Sequence, residues 1–257
     1  MKQTRRPTRR EKLVQEKLEA KVVSKIPSAR RDIPKLEAKN QNQRTALSIL
    51  MNGTPIVFLT GSAGTGKSML AAYRIAKLLS SKEVDKVYLV RPAVGVGKSI
   101  GLLPGEIEDK MAPYFAQTIA HLESFLEKGF VQYALEKKII EMKPAEYMRG
   151  MSFERCAVLV EECQGFTYAE FQMMLTRLGE DCQMIFTGDQ RQSDLGTASG
   201  LTKTIDLVNR MLQTHPEYLD HDDIDALDSS VGVVQFMPED VVRSGFTRAM
   251  VKVYYYE

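Results

Sequence analysis

The chain has 257 residues, of which 44% are hydrophobic and 26% charged, and its formal net charge is +2. This composition allows one sizeable folded core, and we predict one domain with an extension. No apolar run approaches the ~20 residues that span a bilayer, and the charged N-terminus lacks a following apolar segment. These observations exclude a membrane span and a secretion signal, and they predict a cytoplasmic protein.

The three cysteines argue against a disulfide-stabilised protein and against a zinc-binding protein. Cys156, Cys163 and Cys182 are odd in number, show no C-x-x-C spacing and have mostly apolar neighbours. A disulfide framework and a zinc site are therefore not indicated. We predict buried free thiols.

The charge is unevenly distributed. Residues 1–35 hold twelve Lys or Arg and four acids, a local charge of +8, so the rest of the chain carries −6. We assign residues 1–38 to a basic, flexible N-terminal extension with a short helix around 9–23, and residues 39–257 to the folded domain. The extension either holds nucleic-acid phosphates or serves only as a solvated tail.

Apolar runs and helix-period segments alternate after the extension. In chain order we predict a helix over 42–51, a strand over 56–60, a helix over 67–80, a strand over 87–90, a helical stretch over about 106–138, a strand over 157–161, a helix over 167–178 and a strand over 183–187. For the remainder we predict a helix over 202–213, a loop over the acidic residues 214–230, and two strands, Val231–Phe236 and Val251–Tyr256. This alternation predicts an α/β fold with a mostly parallel sheet and helices on both faces.

The first predicted strand runs into a phosphate-loop pattern, G-x-x-x-x-G-K-[ST]. It matches at Gly61, Ser62, Ala63, Gly64, Thr65, Gly66, Lys67 and Ser68, and Met69 follows at the start of the helix. Backbone N–H groups of such a loop surround phosphates, Lys67 supplies a cation for the outer phosphates, and the Ser68 hydroxyl ligates magnesium. The pattern predicts binding of a nucleoside triphosphate at a helix N-terminus.

Two later strands also end in polar residues that suit this chemistry. Glu161 and Glu162 close one buried strand, where the first carboxylate holds magnesium and the second orients or deprotonates the attacking water. Asp189 and Gln192 follow another strand, in a position to sense a γ-phosphate. A solvated turn and a hairpin turn are the alternatives for these two segments.

A Gly-rich segment, residues 95–105, follows the strand that ends in Arg91. Its short Gly-x-Gly lacks the third glycine of a dinucleotide fingerprint and opens no helix, so a second nucleotide site is rejected. Contact with single-stranded nucleic acid and an ordinary surface loop remain open alternatives.

Several blocks together resemble the PhoH-like family of P-loop ATPases, whose core is related to the RecA-like domain of superfamily-one helicases. They are the phosphate loop, Arg91-Pro-Ala-Val with Gly101-Leu-Leu-Pro-Gly, Tyr147-Met-Arg-Gly150, Leu175-Thr-Arg177 with Thr187-Gly-Asp189 and Gln192, and Asp240-Val-Val-Arg243. The resemblance covers about residues 40–257.

The resemblance implies ATP and Mg²⁺ as ligands and assigns roles to individual residues. Lys67 and Ser68 bind phosphates and magnesium, Glu162 activates water, and Gln192 couples the γ-phosphate to the core. Gln43 contacts adenine through a bidentate amide pair, with Gln41 as a competing candidate. Arg243 stabilises transition-state charge, within the chain or across a subunit boundary, or is a surface arginine. Arg91, Arg149 and Arg177 stay open between functional and structural roles.

One departure from the family concerns the acid pair. The family has Asp-Glu where this chain has Glu161-Glu162, and the added methylene moves the magnesium-side carboxylate by roughly 1.5 Å, which is expected to slow hydrolysis. Our first hypothesis is a Mg²⁺-dependent ATPase that acts on nucleic acid, with single-stranded RNA favoured. It assembles as a homo-oligomer, for which a hexameric ring is one arrangement. The alternatives are a slow nucleotide-gated scaffold and a small-molecule phosphotransferase.

Overall fold

The structure, a computed structural model, describes residues 32–92, 107–196 and 199–257. The predicted helix around 9–23, most of the basic extension and the Gly-rich segment lie outside the described residues. The described helices are α1 (Gln41–Met51), α2 (Lys67–Ser81), α3 (Ile107–Phe125), α4 (Lys128–Glu136), α5 (Tyr168–Leu175), α6 (Gly200–Thr214), α7 (His221–Ser230) and α8 (Gly245–Tyr256). The described strands are β1 (Ile56–Gly61), β2 (Lys86–Arg91), β3 (Ile140–Pro144), β4 (Cys156–Val160), β5 (Gln183–Gly188) and β6 (Val231–Phe236).

The six strands form one sheet in the order β3-β2-β4-β5-β1-β6. Every neighbouring pair is parallel. The predicted α/β fold with a parallel sheet is therefore confirmed. Because parallel strands bring their carboxyl ends to one edge, the segments after β1, β4 and β5 meet there.

Side chains of the central strands alternate between two hydrophobic clusters. In β1, Val57 and Leu59 join the cluster formed with α1 to α4, while Ile56 and Phe58 join the cluster formed with α5 and α6. Strands buried on both faces read as continuous apolar runs, which is why the central strands were predictable.

The prediction of a strand at Val251–Tyr256 is wrong, because this segment belongs to helix α8. The Ser244 side chain accepts a hydrogen bond from the backbone N–H of Thr247 and caps the helix. The run of β-branched and aromatic residues is typical of a strand, but one face of α8 packs on the body through Lys252 and Tyr255. Tertiary contacts override the local preference here.

The acidic segment 214–230 is also not the loop that we predict, because residues 221–230 form α7. Asp220 and Asp223 make a capping box at its N-terminus, where negative charge is favourable. The acids that suggest a loop are thus the start of a helix.

The helical stretch predicted over 106–138 consists of two helices, α3 and α4, and the strand β3 after them is missing from the prediction. β3 lies at the edge of the sheet and carries Glu141 and Lys143, which pair with each other at 2.8 Å. These charges hide the apolar pattern of the strand.

Among the described helices, none is long and apolar enough to cross a membrane.

Candidate functional site

The phosphate-loop pattern, residues 61–68, connects β1 to α2, and two of its glycines are required by the backbone. Gly61 has φ +108°, and a Cβ there would lie 2.0 Å from the backbone oxygen of Phe236. Gly66 has φ +92° and precedes the first turn of α2. Side chains other than hydrogen are strained at such angles.

The loop presents free backbone donors at a helix N-terminus. Within the described ranges, the backbone N–H groups of residues 63–68 donate to no other part of the chain. They lie at the N-terminus of α2, where the helix dipole also favours an anion. Lys67 Nζ donates to the backbone oxygens of Gly61 at 2.6 Å and Ser62 at 2.8 Å, so its ammonium group lies over the loop.

The two acids after β4 have different surroundings. Glu161 is 4% exposed, and its carboxylate accepts a hydrogen bond from Thr118 Oγ1 at 2.7 Å and lies 3.4 Å from Arg91 Nη2. Glu162 has a half-exposed side chain that accepts from Gln164 Nε2 at 2.7 Å. Glu162 has φ +53°, a left-handed conformation that is uncommon outside glycine, and Arg91 Nη2 lies within 4.0 Å of both carboxylates.

Gln164 joins the ends of β4 and β5. Besides donating to Glu162, its side-chain oxygen accepts from the backbone N–H of Asp189 at 3.1 Å. Asp189 in turn accepts from Gln192 Nε2 at 3.0 Å. Sequence reasoning assigned Gln164 no role, although it lies two residues after the acid pair.

These segments enclose a cavity of about 320 Å³. The site residues predicted from the sequence that line it are Ala63, Gly64, Gly66, Lys67, Ser68, Met69, Glu161, Glu162, Asp189, Gln192 and Arg243. The further lining residues are Gln117, His121, Thr187, Gly188 and Val242. Gly61, Ser62 and Thr65 belong to the frame of the loop, where the Thr65 hydroxyl donates to Ser62 O at 2.9 Å.

Gln43, the predicted adenine contact, lies behind the phosphate loop. It is buried, its Nε2 donates to Thr65 O at 2.8 Å, and its Oε1 accepts from Lys39 N at 2.7 Å. An adenine contact would have to replace these bonds, so it stays a prediction. The competing Gln41 is exposed and accepts from Arg44 Nε at 3.0 Å.

Arg243 lines the cavity of its own chain. The backbone N–H of Val242 donates to Gly64 O at 3.1 Å, and a Cβ on Gly64 would lie 3.2 Å from Arg243 Cδ. Of the two placements that the sequence left open for this arginine, the geometry favours the one within the chain.

The other arginines have separate surroundings. Arg91 pairs with Glu161, and Arg177 Nη1 donates to Met151 O at 3.4 Å. Arg149 is exposed. Of these three arginines, Arg91 is the one whose described partner, Glu161, lines the cavity.

Two nitrogen groups of the cavity are affected by burial. Desolvation lowers the pKa of Lys67, while the carboxylates of Asp189 and Glu162 act in the opposite direction. Desolvation likewise lowers the pKa of His121, against the charge of Glu161. Within the described chain, His121 Nδ1 is buried without a hydrogen-bond partner.

The oxygen donors of the cavity suit a Mg²⁺ ion that is bound together with phosphates and water. They do not suit a metal that is held by protein side chains alone. No group of three or more His, Cys, Asp or Glu side chains in the described residues is arranged to hold a metal. Mg²⁺ usually takes one or two protein oxygens together with phosphates and water, and the Ser68 hydroxyl and the Glu161 carboxylate both line the cavity. The three cysteines are free and buried, which confirms that prediction.

The comparison with known proteins agrees with the motifs. A family model described as "PhoH-like protein" matches residues 35–255. The chain belongs to the PhoH-like family. Protein PhoH of Escherichia coli (strain K12) is 35% identical over 228 residues, covering 87% of this chain and 59% of that protein. A PhoH-like protein of Bacillus subtilis (strain 168) is 38% identical over 168 residues, covering 65% of this chain and 52% of that protein.

This member of the PhoH-like family therefore spans between about half and three fifths of the length of these relatives. Among solved structures, it is similar to the Sulfolobus solfataricus SWI2/SNF2 ATPase core in complex with dsDNA, at 11% identity and a TM-score of 0.40. That match covers 76% of this chain and 42% of the other. A likeness at this level adds nothing to the family assignment, which rests on the sequence.

Proposed function

We propose that this protein is a Mg²⁺-dependent ATPase that couples hydrolysis to binding or remodelling of nucleic acid, with single-stranded RNA favoured. The observation that carries the proposal is the single cavity in which Lys67 and Ser68 face Glu162 and Gln192. Separate parts of the chain thus bring a phosphate cradle and a carboxylate to one space. A phosphate-loop protein needs both to bind and hydrolyse a nucleoside triphosphate.

In this proposal each wall of the cavity has its own task. Lys67 and the N–H groups of the loop hold the outer phosphates, and Glu162 accepts a proton from the attacking water. Ser68 and Glu161 hold Mg²⁺, which neutralises charge on the phosphates when bound. Arg243 stabilises the charge that develops in the transition state.

Asp189 and Gln192 are proposed to report whether a γ-phosphate is present. Gln192 donates to Asp189, and Asp189 is linked through Gln164 to the water-activating Glu162. A shift of Gln192 toward a phosphate would therefore be passed to Glu162, after β4. Such γ-phosphate contacts order switch segments in other nucleotide-dependent proteins.

The basic extension supports the nucleic-acid part of the proposal. A local charge of +8 in the first 35 residues provides several cations for backbone phosphates. The RNA preference, the cytoplasmic location and a homo-oligomeric ring are proposals that rest on the sequence. Because Arg243 lines its own chain's cavity, a partner's arginine is not needed to fill that place.

Measurement of ATP turnover with and without single-stranded RNA and DNA tests this function. We expect Mg²⁺-dependent ATP turnover that rises with single-stranded RNA. In Lys67→Ala we expect the loss of the turnover and of its stimulation by RNA. Turnover that neither nucleic acid changes would contradict the coupling.

A slow, nucleotide-gated scaffold is the second candidate, favoured by the burial of Glu161 between Thr118 and Arg91. These contacts occupy the carboxylate that the ATPase reading assigns to magnesium. Turnover of Glu161→Asp separates the two functions, because a large gain over the wild type would favour the scaffold and a loss would favour the ATPase.

A further inference from the structure

Helix α3 brings a hydroxyl group to the carboxylate of Glu161. Thr118 is 1% exposed and Glu161 4% exposed, and the Thr118 hydroxyl donates to Glu161 Oε1 at 2.7 Å. Arg91 Nη2 approaches the other oxygen, Oε2, at 3.4 Å. The carboxylate is thus held from two sides although it lies at the wall of the cavity.

Arg91 is itself positioned by the same face of α3. Its guanidinium lies 5.5 Å from the centroid of the Phe115 ring, and Phe115 and Thr118 are three residues apart on the helix, so they share a face. Within the described residues, Arg91 Nε is buried without a hydrogen-bond partner. Its Nη2 is directed at the two acids, 3.4 Å from Glu161 and 4.0 Å from Glu162.

Two such contacts restrict how a buried carboxylate can rotate. An ionised carboxylate only accepts hydrogen bonds, and burial is costly unless its oxygens are partnered. The neutral hydroxyl fixes Oε1 without adding charge, while the guanidinium attracts Oε2. Removing the hydroxyl would leave Arg91 as the stronger attraction, which draws the carboxylate away from a cation in the cavity.

We propose that Thr118 is a positioning residue that sets the orientation of the Glu161 carboxylate for Mg²⁺ in the nucleotide cavity. The inference rests on the proposed function, since it requires that the cavity binds Mg²⁺ with a nucleotide. Hydrogen-bond partners of metal ligands orient those ligands, and their loss typically weakens metal binding by about 10- to 100-fold.

The test measures the Mg²⁺ concentration needed for half-maximal binding of a fluorescent ATP analogue by the full chain. Thr118→Val replaces the hydroxyl by a methyl group and is expected to raise this concentration by about 10-fold. Thr118→Ser restores the hydroxyl and is expected to behave like the wild type. The exposed Thr214→Val serves as a matched control. Equal Mg²⁺ dependence in Thr118→Val and the wild type would overturn the proposal.

A double-mutant cycle distinguishes positioning from a general loss of packing. Asp at position 161 is too short to keep the same contact, so Thr118→Val is expected to change little in a Glu161→Asp background. The same 10-fold effect in both backgrounds would overturn the proposal. Thermal unfolding without nucleotide identifies variants that lose binding because they unfold. If Thr118→Val is one of them, the Mg²⁺ dependence of Thr118→Ser, which keeps the hydroxyl, tests the proposal, and a Mg²⁺ dependence unlike that of the wild type would overturn it.

The outcome also separates this inference from the proposed function. If the wild type fails to bind the analogue at any Mg²⁺ concentration, the proposed function fails and the inference fails with it. If the wild type binds with Mg²⁺ and Thr118→Val shows the same dependence, only the role of Thr118 is wrong.

Discussion

At the scale of single residues, Glu162 has a positive φ, and the two adjacent carboxylates lie in different environments. Both acids line the cavity, but Glu161 is buried against Thr118 and Arg91, whereas Glu162 is half exposed and accepts a hydrogen bond from Gln164. A left-handed residue that is not glycine is uncommon and often marks a functional turn. This difference in exposure fits the proposal that Glu161 holds Mg²⁺ and Glu162 activates water.

Glu162→Gln tests the role of the exposed acid. The amide cannot take a proton from water, so we expect ATP turnover to fall by at least about 100-fold while ATP binding is kept. The exposed Glu180→Gln is the control and should retain wild-type turnover. Similar turnover in the two variants would contradict the assignment.

Gly61→Ala tests the close approach of the phosphate loop to β6. Its Cβ would meet Phe236 O at 2.0 Å, whereas an alanine at Gly53, which also has a positive φ, meets nothing within 4 Å. We expect Gly53→Ala to lower the free energy of unfolding by about 1 kcal/mol, and Gly61→Ala by roughly 2 kcal/mol more. Urea unfolding of both variants measures the difference, and equal losses would show that the contact is unimportant.

The phosphate loop was predictable because its residues are contiguous in the sequence. The residue type at each fixed position follows from the local backbone conformation or from the contact with phosphate. Gln117 and His121 were not, since only the packing of α3 against α2 and β3 places them in the cavity. The link from Gln164 to Asp189 likewise spans 25 residues and depends on the neighbouring positions of β4 and β5. Long-range contacts of this kind leave no periodic signal.

At the scale of elements, α8 shows how a local preference fails. The apolar segment 251–256 predicts a strand, yet α8 lies against the loop after β5, where Arg191 stacks on the Tyr255 ring and donates to its backbone oxygen. A similar correction applies to α7, whose acidic N-terminus suggests a loop. The central strands, by contrast, were read correctly because burial on both faces makes them wholly apolar.

Tyr255→Ala tests how α8 is attached to the body. Loss of the contact with Arg191 is expected to cost about 1 kcal/mol, which raises the exchange rate of the backbone amides in residues 245–256 by roughly 5-fold. The neighbouring Tyr254 is 75% exposed, so Tyr254→Ala is the matched control. Hydrogen exchange followed by mass spectrometry measures the rates in the two variants. Equal rates would contradict the attachment of α8 through Tyr255.

At the scale of the whole molecule, a basic N-terminal segment precedes a body of opposite net charge. The predicted extension, residues 1–38, includes Ile33 and Leu36, and the structure packs both against the core cluster, Ile33 being 3% exposed. A truncation that removes only residues 1–31 therefore deletes most of the positive charge and leaves these packing contacts in place.

Removal of residues 1–31 is expected to flatten the salt dependence of single-stranded RNA binding. Each lost phosphate contact reduces the slope of log affinity against log salt by about 0.7. Titrations at several salt concentrations measure it, and replacement of Arg5, Arg6, Arg9 and Arg10 by Gln distinguishes charge from length. An unchanged slope would exclude the extension from RNA binding.

The central claim is that the cavity beside the phosphate loop binds Mg²⁺ and ATP, and calorimetric titration of the wild type and Lys67→Ala tests it most directly. Lys67 carries the cation placed over the loop, so its loss removes an attraction to the outer phosphates. We predict saturable, Mg²⁺-dependent binding of one ATP by each wild-type chain and no measurable binding by Lys67→Ala. Equal binding by the two proteins, or none by the wild type, would contradict the account.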